Sequence, residues 1–375
     1  MLASVNAVNS IMMALSGQSF KVSNFAAKWK STSSACIAER EKKRESVTTA
    51  RSVRPFCIMP TQIIRKYLLF PAFFSRSLRY SVSLTAHSFS AEKMNFLVDF
   101  DSNLLHEHLI DSTSSLIQDA ESLGIRAFVV PGTNLVDSYE GMNLKLKFPC
   151  SNIITTCGIH PYNADKVTFD EASKNTLLDL SKDPRCSAVG ECGLDYSEGF
   201  PDRSHQLQWF QFQVDLALQY GRPLYFHVRN AEKDFLDVLL SRGFTGDCSS
   251  PLVPCVVHCF TGSLEELRRY VDMGFYVGLT GYIFSLSDDD LRTMLEIISL
   301  DRLVIETDAP YMGFKGCRSS AAKKKNQKYP NIPSALIQIL DRIASISRWD
   351  RDTVIQRTTS NALTILRVDP NSIRL

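Results

Sequence analysis

The sequence predicts an α/β chain that forms a (β/α)8 TIM barrel, because short apolar runs alternate with helical patterns beyond residue 93. The segments between the runs carry apolar residues at spacings of three and four, as in Leu207 to Leu218. Eight strands over residues 94–375 match this barrel, which typically takes about 250 residues. A doubly wound open sheet is the alternative, but neither G-x-G-x-x-G nor a P-loop follows the first run.

The predicted elements follow one another in the order that a barrel requires. The strand-like runs lie at 96–98, 127–130, 153–156, 188–189, 224–226, 253–257, 275–277 and 303–305. Two further helical patterns, at 334–346 and 351–366, predict C-terminal helices after the eighth strand.

The composition is that of an ordinary globular protein, with 44% hydrophobic and 22% charged residues. No stretch has the ~18 uncharged apolar residues that a membrane helix needs, so we expect no membrane partner. Ten cysteines occur without a C-x-x-C pair. Their spacing argues against a zinc ribbon or a thioredoxin motif and suits a reduced intracellular chain.

The first 91 residues differ in charge from the rest of the chain. They hold 13 Lys and Arg against three Glu and no Asp, a balance of +10, whereas the remainder carries −8. An acid-poor, Arg- and Ser-rich start is typical of a transit peptide, and the alternative is a gene-model extension with Met94 as the start. We expect residues 1–93 to lie outside the fold and 94–375 to form the barrel. The first interpretation predicts a chloroplast or mitochondrion, and the second predicts the cytosol or nucleus.

Polar side chains lie at the ends of six predicted strands: Asp99, His160, Glu191, His227, His258 and Asp308. Steps of 31, 36 and 31 residues separate the middle four, about one βα unit each. Taken singly, each histidine is better explained as a structural residue and each aspartate as a helix N-cap. Together they are expected to converge, because the C-terminal strand ends of a barrel open on one face. Carboxylate and imidazole ligands suit Mg, Mn or Zn, so the pattern predicts a divalent metal site.

Five motifs at these strand ends are T-C-G-I-H-P from 156, V-G-E-C-G-L-D-Y from 189, F-H-V-R-N-A from 226, H-C-F-T-G-S from 258 and I-E-T-D-A-P-Y from 305. They resemble, in order, the signature blocks of the TatD family of metal-dependent deoxyribonucleases, and the resemblance covers about residues 94–368. It implies a TIM barrel of the amidohydrolase type that hydrolyses DNA phosphodiester bonds, in the family often as a 3′–5′ exonuclease.

The resemblance also implies a role for each strand-end residue. Glu191 and Asp308 would be catalytic, with Asp308 holding the attacking water and taking its proton. The ligands of one or two divalent ions would be Glu191, His227, His258 and Asp308. His160 and Arg229 would contact the substrate phosphate, a role that the planar guanidinium fork of arginine suits.

The first and last motifs depart from the family pattern. Many members open with D-x-H-x-H, whereas this chain reads D-F-D-S-N-L from Asp99, closer to the branch that opens D-x-G-x-N-L. Asp101 stands where that branch has glycine, so Asp99 or Asp101 is the candidate oxygen ligand in place of the missing histidines. His106 and His108 lie too far along to replace those histidines and are expected on a solvent-facing loop. Near the end, the family's N-E-P reads N-I-P from Asn331, which changes contacts at the last loop.

The loop after the eighth strand is basic and carries Lys315, Arg318, Lys323, Lys324, Lys325 and Lys328. A charge run is usually a solvated loop. This one lies at the predicted barrel mouth on an otherwise acidic body, so it is a candidate contact to a nucleic-acid backbone.

The leading hypothesis is a metal-dependent 3′–5′ exodeoxyribonuclease that acts on single-stranded or frayed DNA ends. The nearest alternative is a hydrolase of a small ester, amide or aminoacyl-tRNA on the same fold, because loops respecify barrel mouths. A non-catalytic scaffold is the third hypothesis, and the intact set of ligand residues disfavours it. The sequence leaves the oligomeric state open.

Overall fold

The structure, a computed structural model, describes residues 94–246, 252–318 and 331–375. The predicted extension at 1–93 lies outside the described residues, and so do Lys323, Lys324, Lys325 and Lys328. The domain boundary near Met94 therefore stays a prediction. In the described part of the chain, no helix combines the length and apolarity needed to cross a membrane.

Eight parallel strands form one sheet in chain order. They are β1 (Leu97–Asp99), β2 (Ile125–Val130), β3 (Asn152–Cys157), β4 (Cys186–Asp195), β5 (Leu224–Arg229), β6 (Cys255–Val257), β7 (Tyr276–Leu279) and β8 (Leu303–Ile305). At the seam between β8 and β1, the Phe100 amide donates to the Ile305 carbonyl at 3.1 Å, and a parallel bridge joins Ser102 to Ala309. The predicted (β/α)8 barrel is confirmed.

Helices follow the strands in alternation. They are α1 (Thr113–Ser122), α2 (Leu135–Lys147), α3 (Glu171–Lys182), α4 (Arg203–Tyr220), α5 (Glu232–Leu240), α6 (Leu264–Asp272), α7 (Asp288–Ile298), α8 (Leu336–Ile346) and α9 (Arg351–Leu366). Short polar residues begin several of them: Asn134 caps α2, and Ser263 forms a reciprocal capping box with Glu266 on α6. Both predicted C-terminal helices are present, and α8 begins at 336 because a 3-10 turn occupies Pro333–Ala335.

The strands are buried on both faces, because successive side chains point to opposite sides of a strand. One buried cluster joins residues such as Leu97, Phe128 and Phe226 to the surrounding helices. A second contains the alternate positions, among them Val98 and Val129, together with the last residues of α9. The continuous apolar runs in the sequence reflect this two-sided burial.

Helix α9 fastens the seam where the barrel closes. The Thr359 hydroxyl donates to the carbonyl of Phe96, before β1, at 2.6 Å. The Asn361 amide donates to the carbonyls of Leu300 and Leu303, at the start of β8, at 2.9 and 2.8 Å. These buried polar groups are satisfied, and they hold β1 and β8 side by side, so that the residues that follow both strands meet at one end.

Candidate active site

Glu191 lies inside β4 at a break in strand register. The pairing with β5 shifts between Val189 and Cys192, which is a bulge. Gly190 in this bulge has φ 147°, and a Cβ there would overlap the Tyr225 carbonyl oxygen. Only glycine fits so close to the neighbouring strand, so the G-E pair of the motif sets where the Glu191 carboxylate emerges. The strand extends to Asp195, beyond the predicted 188–189.

Glu191, His227 and His258 lie together, as the sequence predicts. Nε2 of His258 is 2.6 Å from Oε1 of Glu191, and the two histidines approach to 3.3 Å between Nδ1 of His227 and Nε2 of His258. Nε2 of His227 is 2.9 Å from Oδ2 of Asp195. The second nitrogen of His227 therefore has a carboxylate partner, an arrangement that often orients metal-binding histidines.

Of the two aspartates at the first motif, Asp101 is the one that faces the cluster. Its Oδ2 lies 3.5 Å from Nδ1 of His258, and its ligand atoms fall within 4.8 Å of those of Glu191 and His258. The Asn103 amide donates to Asp101 at 3.1 Å and to Asp308 at 3.0 Å. Asp308 is therefore linked to the cluster by one hydrogen-bonded amide.

Asp99 has a structural position instead. Both of its oxygens accept hydrogen bonds from Thr307, from the amide and from the hydroxyl, each at 2.7 Å. The Asn331 amide donates to the carbonyls of Thr307 and Tyr311 at 2.7 and 2.8 Å. The asparagine of the N-I-P motif thus holds the loop that carries Asp308, even with isoleucine in place of the family's glutamate.

His160 reaches the cluster, and Arg229 lies two residues beyond His227 on β5. The ligand atoms of His160, Glu191 and His227 also lie within 4.8 Å of one another, and the His160 and His227 rings are 4.5 Å apart. Nδ1 of His160 accepts from the Tyr162 amide at 3.0 Å. Arg229 is the exposed last residue of β5.

The two histidines of the first loop differ in exposure. His108 is exposed, as expected for a solvent-facing loop, but His106 is half-buried and lines a recess with Tyr311. The two rings meet edge to face with centroids 5.2 Å apart. Packing against the loop after β8 draws His106 inward.

Several residues of the site were not assigned a role from the sequence. Tyr225, in the middle of an apolar run, donates to Oδ2 of Asp101 at 2.5 Å. Glu306 is fully buried, accepts a short hydrogen bond from the Cys259 amide and lies 3.7 Å from Nδ1 of His258. Asp195 and Glu306 both belong to the motifs quoted above. An acidic residue in the same motif as a predicted ligand is the sequence feature that could have identified them.

Carboxyl groups outnumber histidines in and around the cluster. Burial, reinforced by Glu191, raises the pKa of Asp101 well above its usual value, and burial raises the pKa of Asp308 and of Glu306 to about 7. Burial alone would lower the pKa of His258, but the carboxylates of Glu191 and Glu306 outweigh it and raise that pKa. Carboxylates packed this closely stay ionised only when a cation compensates them.

The residues present fit a divalent metal ion. Nδ1 of His258 and Oε2 of Glu306 are buried and have no hydrogen-bond partner among the described residues. Two overlapping groups share Glu191, one with Asp101 and His258 and the other with His160 and His227. Carboxylate oxygens and imidazole nitrogens are the donors that hard and borderline divalent ions prefer.

Non-glycine residues with left-handed backbone occur beside the cluster. Asp308 has φ 53° and Cys259, directly after His258, has φ 45°. Such conformations are uncommon for side-chain-bearing residues and gather at functional sites. Their presence after β6 and β8 agrees with a site at these strand ends.

The sequence of this chain is similar to that of known proteins. The model of the family described as TatD related DNase matches residues 98–367. The protein called 3′-5′ ssDNA/RNA exonuclease TatD is 30% identical in Salmonella typhimurium, over 72% of this chain and 99% of the relative. Its counterpart in Edwardsiella piscicida is 31% identical, over 72% and 100%.

Solved structures show the same fold. A hydrolase TatD family protein from Entamoeba histolytica superposes with a TM-score of 0.63 at 25% identity, covering 73% of this chain and 99% of that one. The TatD homologue YJJV of Escherichia coli K12 also gives 0.63, at 23% identity, covering 74% and 100%.

Proposed function

The chain belongs to the TatD-related DNase family, and from this premise we propose that it is a metal-dependent 3′–5′ exonuclease for single-stranded DNA. The observation that carries the proposal is the buried group of Asp101, Glu191 and His258 at the strand ends of the barrel. The similarity to relatives named as single-strand exonucleases spans nearly their whole length, which supports the same reaction here.

We assign the metal to the shared cluster. Glu191, His227, His258 and Asp308 are the proposed ligands, and Asp101 supplies a further oxygen where the D-x-H-x-H motif is missing. A bound divalent cation supplies positive charge that polarises the phosphoryl group and lowers the pKa of a water molecule. Mg, Mn and Zn are the candidates, with one or two ions per chain.

The side chains of this protein then orient the substrate and move the proton. Asp308, held by the Asn103 amide at 3.0 Å, accepts the proton of the attacking water. The Tyr162 amide donates to Nδ1 of His160, so neutral His160 carries its proton on Nε2 and can donate to a phosphate oxygen. Arg229, exposed at the end of β5, binds the next phosphate along the strand.

The decisive experiment follows single-nucleotide shortening of a 5′-labelled single-stranded oligonucleotide. The full chain is incubated with Mg²⁺, Mn²⁺ or Zn²⁺, or with excess chelator, beside RNA of the same sequence and a panel of small esters and amides. We expect shortening from the 3′ end that stops in chelator and spares a covalently closed single-stranded circle. Preferred turnover of a small ester would instead support the alternative hydrolase, and efficient cutting of the circle would exclude an exonuclease.

A matched pair of variants tests the site. Glu191→Gln keeps the shape of the side chain but removes its charge, and we expect at least about a hundredfold loss of rate, about 2.7 kcal/mol of transition-state stabilisation. Glu198→Gln makes the same change at an exposed position seven residues further along and should keep the full rate. Equal rates for the two variants would remove Glu191 from the mechanism.

A further inference from the structure

A recess of about 280 Å³ opens beside the proposed metal cluster. It lies at the ends of β1, β2 and β3, with the loop after β8 as its fourth side. Its wall includes Asn103, His106, Asp137, Tyr162 and Tyr311. The reaction proposed above gives this recess no role.

The recess is tied directly to the cluster. Asn103, on its wall, is the amide that links Asp101 to Asp308. On the other side, the carbonyl of Thr133 accepts from the His160 amide at 2.9 Å and from the Asn163 side chain at 2.9 Å. A group bound in the recess would therefore contact residues that are hydrogen-bonded directly to the cluster: Asn103 on one side and Thr133 on the other.

The chemistry of the wall is that of a site for a flat, uncharged ring. Three aromatic rings line it, those of His106, Tyr162 and Tyr311. Tyr162 is 52% exposed, and its ring is fixed by the Lys166 ammonium at 3.3 Å from its centroid and by Phe200 at 5.8 Å. Aromatic side chains provide stacking surfaces for nucleobases regardless of sequence.

The electrostatics of the recess disfavour a phosphate. Asp137 is the acidic residue on its wall, and among the described residues no lysine or arginine lines it. The nearby Lys166 ammonium lies over the ring of Tyr162 and is not part of the lining. Oδ2 of Asp137 accepts from the Asn134 amide at 2.6 Å and from the Thr133 hydroxyl, which holds the carboxylate in place. Burial lowers the pKa of His106, so this imidazole adds no positive charge near neutral pH. A carboxylate accepts hydrogen bonds from base amino groups but repels a phosphodiester.

We infer that this recess binds the nucleobase of the terminal nucleotide while the adjoining phosphodiester lies at the metal cluster. The inference deepens the proposed function and rests on it. In this subsite the aromatic rings stack against the base and the polar groups form hydrogen bonds with it. The negatively charged backbone of the substrate stays outside the recess.

The test compares two oligonucleotides that differ only at the 3′-terminal residue, which is either a normal nucleotide or an abasic tetrahydrofuran nucleotide. We expect the full chain to release the abasic residue about 5- to 150-fold more slowly, the range of one base–aromatic stack. Tyr162→Leu should bring the ratio of the two rates close to one. Tyr220→Leu is the matched control, because Tyr220 is also partly exposed and also carries a lysine over its ring, Lys182 at 5.0 Å, but lies at the end of α4 outside the recess.

A binding measurement separates this inference from the proposed function. An oligonucleotide ending in 2-aminopurine loses fluorescence when its base stacks, so the full chain should quench it and Tyr162→Leu should quench it less. Cleavage of both termini at equal rates, without quenching, would overturn the base subsite and leave the exonuclease intact. Quenching without cleavage under any of the three metals would overturn the exonuclease and retain the subsite.

Discussion

Removal of the divalent cation should lower the thermal stability of the barrel measurably. The ligand atoms of Asp101 and Glu191 lie within 4.8 Å of each other. At an effective dielectric constant near 20, two unit charges at that distance repel by at least about 3 kcal/mol. Without a cation Asp101 avoids this repulsion by holding a proton, in keeping with its raised pKa. A cation binds the ionised carboxylates in the folded state alone, so its binding stabilises the fold.

The expected size follows from mass action. At a metal concentration of about one hundred times Kd, the folded state gains about 2.7 kcal/mol. For a domain of this size, 1 kcal/mol shifts the midpoint by roughly 2 °C, so the full chain should melt about 5 °C higher with metal than in chelator. Differential scanning fluorimetry across Mg²⁺, Mn²⁺ and Zn²⁺ measures this shift and ranks the three ions.

Two variants show whether the shift comes from the proposed cluster. Glu191→Gln should weaken binding by about a hundredfold or more and reduce the shift to about 1 °C at the same metal concentration. The midpoint of this variant in chelator is the reference from which its own shift is measured. Glu198→Gln should keep the full shift. The reasoning is refuted if metals leave the midpoint unchanged, or if Glu191→Gln shifts as much as Glu198→Gln.

Three further predictions concern other parts of the molecule. Tyr225→Phe should lower the free energy of unfolding by about 1.5–3 kcal/mol, because it removes the buried hydrogen bond to Asp101; an unchanged urea midpoint would contradict this. A chain that begins at Met94 should fold and keep full nuclease activity, because the first strand begins at 97; insolubility would move the boundary, and fluorescent fusions with and without 1–93 would test organelle import. Replacing the three lysines at 323–325 with glutamine should weaken DNA binding and reduce its salt dependence by roughly one unit of slope per lost phosphate contact, whereas an unaltered slope would exclude this loop.

The strands could be predicted because they are buried on both faces and therefore read as continuous apolar runs. The extent of β4 could not, since the glycines and the glutamate of its motif interrupt the apolar pattern at the bulge that presents Glu191. Tyr225 was hidden for the opposite reason: a tyrosine within an apolar run looks like a core residue, and only the fold brings its hydroxyl to Asp101. Periodic spacing predicts polar residues that lie one βα unit apart. It does not predict which side chains form hydrogen bonds across the barrel.

The same limit applies to the choice between Asp99 and Asp101. Both are acidic and lie two residues apart at the end of the first apolar run, and nothing local in the sequence separates them. The fold separates them because the seam places Thr307 against Asp99, where it occupies both carboxylate oxygens, and leaves Asp101 facing His258. As the proposed oxygen ligand, Asp101 would complete a metal site in which the D-x-H-x-H histidines are missing.

The placement of the proposed subsites around the barrel gives a direction to the substrate. The recess lies at the ends of β1 to β3, whereas Arg229 ends β5, the strand that also carries His227. With its last base in the recess and the adjoining phosphodiester at the cluster, as proposed, the substrate strand would continue towards Arg229, and its terminal phosphodiester would be the one hydrolysed. The body beyond the first 91 residues carries a balance of −8, which repels a long duplex from the remaining surface. The recess would hold one terminal base and the cluster one phosphate, so the reaction is expected at the ends of single strands. No contact with an internal sequence is needed.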